Sequence, residues 1–222
     1  MTFSNIIIAL GAVVVAYLIG SINFAVIFSN IFIGKDVRNS GSGNAGTTNV
    51  IRTAGFLPGV LTFICDAAKG YVGAFIGEAV FSYLFEKTGI IIFSSIYGAY
   101  LCYIFVMVGH ILPIFFQFKG GKGVALSVGG FAVCSPIAII FGLLAFAVSL
   151  LISRIVSLSS LIATTVVISL AIAFVDTSVP VLPQIIMAVM LGAIVFFTHR
   201  TNIVRLIKGE EKKLTIGGKK RG

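Results

Sequence analysis

The chain has 222 residues, of which 58% are hydrophobic and only 10% charged, and its net charge is +9. Soluble domains carry about 25% charged residues, so a soluble fold of this length is excluded and lipid must solvate many of the apolar side chains. A net charge of +9 in a soluble protein would suggest nucleic acid, but here the basic residues fall where a membrane topology puts them, and no nucleic-acid partner is expected.

A backbone inside lipid must satisfy its own hydrogen bonds. The apolar runs are long and do not alternate, which favours helices over a barrel. The predicted fold class is all-α, a polytopic helical bundle with spans at 6–28, 57–76, 90–116, 124–134, 137–152, 155–175 and 182–198. The first is too long for a signal h-region and lacks a basic n-region and a small-residue cleavage site, so a retained span is expected. The segment 124–134 is short for a full crossing and stops at Ser135-Pro136, which makes it a tilted short span or a re-entrant helix.

Placing the loop after the first span in the cytoplasm puts 14 of the 16 basic residues on that side, from Lys35 to Arg221. Lys69 then lies within a span and Lys87 outside. This predicts an N-terminus outside and a C-terminus inside. Residues 1–208 read as one integral membrane domain, and residues 209–222 as a short basic cytoplasmic tail beside anionic headgroups. Cys65, Cys102 and Cys134 sit in apolar stretches without paired spacing and read as free thiols.

Three polar clusters fall on the predicted cytoplasmic side. The first is Gly41-Ser42-Gly43-Asn44-Ala45-Gly46-Thr47-Thr48-Asn49, followed by Arg52. Unhindered backbone N–H groups, hydroxyls and amides suit an anion, and Arg52 adds a charge-assisted contact. The run contains G-x-G-x-x-G, with Asp66 20 positions after Gly46, but a membrane helix precedes it where a dinucleotide fold needs a strand. The second cluster is Phe118-Lys119-Gly120-Gly121-Lys122-Gly123 before an apolar helix, a second anion cradle with Lys122 as a point charge. It is not a Walker A loop, because Gly123 occupies the Ser/Thr position. The third is Thr198-His199-Arg200-Thr201-Asn202-Ile203-Val204-Arg205, where a helix would place His199, Asn202 and Arg205 on one face.

Asp66 and Lys69 are spaced to pair as a structural salt bridge within a span, and Asn23 reads as a helix–helix contact. His110 lies near a span end, where it either touches the site or makes a helix-orienting hydrogen bond.

Taken together, these motifs resemble the bacterial acyl-phosphate-dependent glycerol-3-phosphate acyltransferase family, PlsY. The resemblance extends to Val124-Ala125, Leu206, Gly209 and Glu210, to Asp66-x-x-Lys69-Gly70 and to Gly109-His110-x-x-Pro113, in the expected order. One departure is Thr47, where the family often has Ala. The resemblance implies transfer of a fatty acyl group from acyl-phosphate to the 1-hydroxyl of glycerol 3-phosphate, giving lysophosphatidic acid and phosphate. The implied setting is a bacterial inner membrane, with the site facing the cytoplasm. Expected partners are the two substrates and membrane lipid, with the chain acting as a monomer. No cofactor is expected, and no catalytic triad, Cys-His pair or metal-ligand cluster is apparent.

On this reading His199, Lys122, Ser42 and Arg52 are the catalytic residues. Gly41, Ser42, Gly43, Asn44, Thr47, Thr48, Asn49, Arg52, Gly120, Gly121, Lys122, Gly123, His199, Asn202 and Arg205 bind substrate. The rival reading is a phosphate or organophosphate transporter, which also needs a basic, glycine-lined site but would show paired halves with polar residues at mid-membrane.

Overall fold

The computed structural model describes residues 2–214, all helix and loop. Six helical segments are long and apolar enough to cross a membrane. The predicted 124–134 segment forms an 11-residue helix, α6 (Val124–Cys134), the short element expected beside the longer spans. Pro136 opens the next helix, and its ring cannot continue the previous one, which is why α6 stops at Cys134.

The predicted first span is two helices. α1 (Phe3–Gly20) breaks at Ser21–Asn23, and α2 (Phe24–Ile33) follows. Asn23 is the N-cap of α2, its side-chain oxygen accepting the Val26 N–H at 3.2 Å, rather than a helix–helix contact. The break frees carbonyls that lipid cannot solvate, and Lys69 supplies the donors. Its Nζ donates to Gly20 O at 3.1 Å and Ile22 O at 2.6 Å, while pairing with Asp66 at 3.0 Å. The expected Asp66–Lys69 bridge is therefore also a cap for a broken helix.

After α3 (Thr47–Ala54), the helix α4 (Phe56–Thr88) runs 33 residues. At 1.5 Å per residue it is about 50 Å long, well beyond a hydrocarbon core of about 30 Å. Glu78, Glu86 and Lys87, expected in a loop, are on this helix, which Gly89 ends in a left-handed C-cap. Then come α5 (Ser95–Ile111), α6, α7 (Pro136–Ser153), α8 (Val156–Ala173), α9 (Val181–Thr198) and α10 (Arg200–Ile207).

α5 is the central helix, with 11 of its 17 residues buried, whereas α7 buries three of 18 and lies at the periphery. Small residues let the inner helices touch backbone to backbone. A Cβ on Gly109 would overlap Tyr17 O of α1, and one on Gly129 would overlap Ala67 O of α4. Side chains such as Ile7, Leu144 and Leu151 are exposed, as expected of a surface that faces lipid. Cys65, Cys102 and Cys134 are free.

Candidate functional site

The three polar clusters meet at one end of the bundle. The first loop is shaped by one side chain. Asn49 is fully buried in the first turns of α3. Its amide nitrogen donates to the carbonyls of Val37, Ser40 and Asn44, each at 3.0 Å, and its oxygen accepts the Ser42 N–H at 2.8 Å. Asn49 holds the loop, and its amide is spent doing so. Gly41 (φ 64°) and Gly43 (φ 71°) take left-handed conformations that a side chain would strain. The Ser42 side chain is exposed, and the Thr47 hydroxyl is buried without a partner among the described residues.

The second loop is held by backbone. Gly120 N–H donates to Ile111 O and Gly121 N–H to His110 O, each at 3.1 Å. A Cβ on Gly120 would overlap His110 O, and one on Gly121 would press on the His110 ring and Ala45 O, so the first and second loops abut at Gly121. Gln117 (φ 59°) and Phe118 (φ 56°) lie in the left-handed region just before the loop. Because Gly120 and Gly121 spend their amides internally, the donors left for an anion are the Lys122 and Gly123 N–H groups and the first turn of α6, which take no acceptor among the described residues.

Arg38 ties the two loops together. Its guanidinium pairs with Asp36 at 2.6 Å and donates to Phe116 O at 2.7 Å and Lys119 O at 3.2 Å. The hydrogen bond from Arg38 holds the Asp36 carboxyl below its ordinary range.

The third cluster closes the site. Thr198 Oγ1 donates to Lys122 O at 3.1 Å, and Lys122 Nζ donates to Asn202 Oδ1. Asn202 Nδ2 in turn donates to Glu211 Oε1 at 2.6 Å. The same carboxylate accepts Ser157 Oγ at 2.8 Å and Arg205 Nε at 2.6 Å. A chain of contacts thus runs Lys122–Asn202–Glu211–Arg205. Burial would raise the Glu211 carboxyl, but the hydrogen bonds from Arg205, Asn202 and Ser157 outweigh it and hold its pKa low. Burial pushes the Lys122 ammonium down to about 8; Glu211 opposes this, while the Arg205 and Arg52 charges add to it. Arg52 is exposed on α3.

His199 is buried, with Nδ1 2.8 Å from Val195 O. Donation to that carbonyl leaves the lone pair on Nε2. Burial pushes its pKa down to about 4, so the ring is neutral at ordinary pH. His110 lies behind the second loop, with Nδ1 3.7 Å from Asp66 Oδ1. No metal-sized group of His, Cys, Asp and Glu occurs among the described residues.

Glu211 is a residue of this cluster that the sequence reading missed. The resemblance pointed to Gly209 and Glu210, but it is the next residue that reaches the site. Only its i, i+6 relation to Arg205 across a turn could have signalled this, and a glycine at φ 71° makes that turn. Residues 209–214 pack back on the body, with Leu214 N–H donating to Arg154 O at 2.6 Å, so this part of the predicted tail is not detached. Lys219, Lys220 and Arg221 of that tail lie outside the described residues.

Beside the polar site, α4, α6, α7, α8 and α9 enclose an apolar cavity of about 130 Å³. Its near end is formed by Val124 and Ser127, just past Lys122, and by Val195, just before Thr198.

Fold and site together define an integral membrane protein whose basic and amide groups gather at the mouth of an apolar cleft. The sequence matches the family model for Glycerol-3-phosphate acyltransferase over residues 10–209. The glycerol-3-phosphate acyltransferase of Anaeromyxobacter sp. (strain K) is 39% identical over 207 residues, 92% of this chain and 98% of that protein. The one from Clostridioides difficile (strain 630) is 38% identical over 218 residues, 98% of each. Among solved structures, PlsY (YgiH), an integral membrane glycerol 3-phosphate acyltransferase, is similar in its glycerol 3-phosphate form. It shares 37% identity with a TM-score of 0.79, covering 93% of this chain and 96% of that one. Its lysophosphatidic acid form gives 35% identity and a TM-score of 0.75. The chain belongs to the glycerol-3-phosphate acyltransferase family.

Proposed function

We propose that the chain transfers a fatty acyl group from acyl-phosphate to the 1-hydroxyl of sn-glycerol 3-phosphate at the cytoplasmic face of a bacterial inner membrane, as a monomer with its N-terminus outside. The observation that carries this is the joining of two glycine loops and the Lys122–Asn202–Glu211–Arg205 chain at the mouth of an apolar cavity. Both substrates carry a phosphate, and one carries a chain that needs an apolar path.

The acyl-phosphate sits with its phosphate over Lys122 and the free amides of Lys122, Gly123 and α6, while Ser42, Arg52 and Arg205 hold glycerol 3-phosphate. The hydroxyl oxygen attacks the acyl carbon, the C–O bond to phosphate breaks, and phosphate leaves with the electron pair. An acyl-phosphate is already activated, so positioning and electrostatics suffice and no acyl-enzyme forms. A base of pKa about 4 is weak at neutral pH, whereas a phosphate's second pKa is about 6. The proton therefore ends on a substrate phosphate oxygen, and His199 Nε2 accepts the hydroxyl's hydrogen bond and aims it.

The test is to give purified protein glycerol 3-phosphate with acyl-phosphate, acyl-CoA or acyl-carrier protein as separate donors. Lysophosphatidate from acyl-phosphate alone is expected. Product from the thioesters alone would overturn the donor assignment, and a trapped acyl-enzyme would overturn the direct route.

A further inference from the structure

The apolar cavity is small for a membrane fatty chain. Its 130 Å³ is of the order of the roughly 150 Å³ engineered cavities that take one benzene-sized group. It reaches along α6 from Val124 to Phe131, about 10 Å at helical rise, short of the bilayer midplane at about 15 Å. The floor is rigid: Phe131, Val167 and Leu191 are 3%, 5% and 1% exposed, and Phe131 packs edge-on against Tyr103 with ring centres 5.3 Å apart. The side is not closed, because Phe63 of α4 and Leu143 of α7 line it and are 38% and 43% exposed. Three hydroxyl residues in the wall are turned to their own helices. Ser127 donates to Gly123 O, Ser160 to Val156 O and Thr164 to Ser160 O, at 2.8–2.9 Å, so these hydroxyls leave no free donor in the wall.

We propose that the cavity grips only the carbonyl-proximal segment of the acyl chain and turns the remainder out between Phe63 and Leu143 into lipid. The enzyme then selects against bulk near the carbonyl carbon and is indifferent to total chain length. This rests on the acyltransferase reading above. The closed floor blocks straight passage, the exposed side gives an exit, and the enclosed volume leaves no room for a side branch.

The test uses protein in bilayer vesicles with straight acyl-phosphates of increasing length, and with two isomers carrying one methyl branch, near the carbonyl or near the methyl end. kcat/KM is expected to level off with length once the enclosed segment is filled. The near-carbonyl branch should lower it about tenfold, the usual worth of one group in a tight apolar pocket, and the distal branch should not. Leu191→Ala should recover most of the near-branch loss relative to the straight chain. A sharp length optimum, or equal penalties for the two branches, would overturn the inference, and the wild-type comparison decides this alone if the variant fails to fold. Should thioesters prove to be the donors, the same chains are compared as thioesters. Transfer from no donor at all would sink the acyltransferase reading instead. The inference is then read from binding of the matching phosphonate analogues, where equal affinities for the two isomers overturn it.

Discussion

The two glycine loops reach the same end by different means. In residues 41–49 a single buried amide, Asn49, makes four hydrogen bonds to the backbone of residues 37–44, and positive φ at Gly41 and Gly43 lets the chain curl round it. In residues 120–123 no side chain inside the loop does this work. His110 and Ile111 carbonyls hold it from outside, and glycine is required at 120 and 121 for close approach rather than for φ. One loop carries its own scaffold, while the other borrows one from the end of α5. A glycine motif read from sequence does not distinguish these cases, yet they fail differently.

The largest effect is expected at Lys122, the charge that joins the second loop to the third cluster. Lys122→Ala should lower turnover by about 10²–10³, the scale of one lost charge-stabilising donor, with the melting temperature of the purified protein little changed. A large fall in melting temperature would make Lys122 structural. Next, Gly121→Ala should overpack the His110 ring at a cost of about 1–3 kcal/mol, and Gly121→Asn should be worse. At Gly43, where a Cβ meets only Arg38 O at 3.5 Å but φ is 71°, Gly43→Ala should cost about 1–2 kcal/mol and Gly43→Asn less, because Asn tolerates the left-handed region. Thermal unfolding and kcat/KM for the four variants test this reversal, and the same ranking at both sites would erase the distinction between the loops.

Asn49→Ala should raise KM for glycerol 3-phosphate more than it lowers kcat, since it slackens the first loop and leaves backbone groups unpaired, at about 1–3 kcal/mol for each one that stays buried. The smallest effect concerns pH. Lys122 titrates at about 8, and its charged form is the one that holds phosphate, so kcat/KM should fall as pH rises through 8. The negative charge of Glu211 favours that ammonium, so Glu211→Gln should lower its pKa and move the alkaline limb to lower pH. A limb that stays in place would remove Lys122 from the titration.

Much of this was legible in the sequence. Long apolar runs gave the helices, and Pro136 marked the end of α6. Residue chemistry singled out Gly120–Gly123, His199 and Arg205, and the fold brings these segments to one end of the bundle. The break at Ser21–Asn23 was hidden because its carbonyls are satisfied by Lys69, 47 residues beyond Ile22. The structural roles of Asn49 and Asn202 were hidden for a similar reason. An amide that suits a ligand also suits the protein's own groups, the loop backbone for Asn49 and the Lys122 and Glu211 side chains for Asn202, and only the fold decides which lies nearer. Glu211 escaped because an acidic residue in a basic tail looks solvated until Ser157, Asn202 and Arg205 are seen around it.

The central claim is that segments far apart in the chain hold one substrate. A double-mutant cycle on glycerol 3-phosphate affinity, with Arg52→Ala and Arg205→Ala singly and together in the purified protein, tests this most directly. Coupling of at least about 0.5 kcal/mol is predicted for groups that share a ligand, and strictly additive losses would mean that the two arginines do not serve the same site.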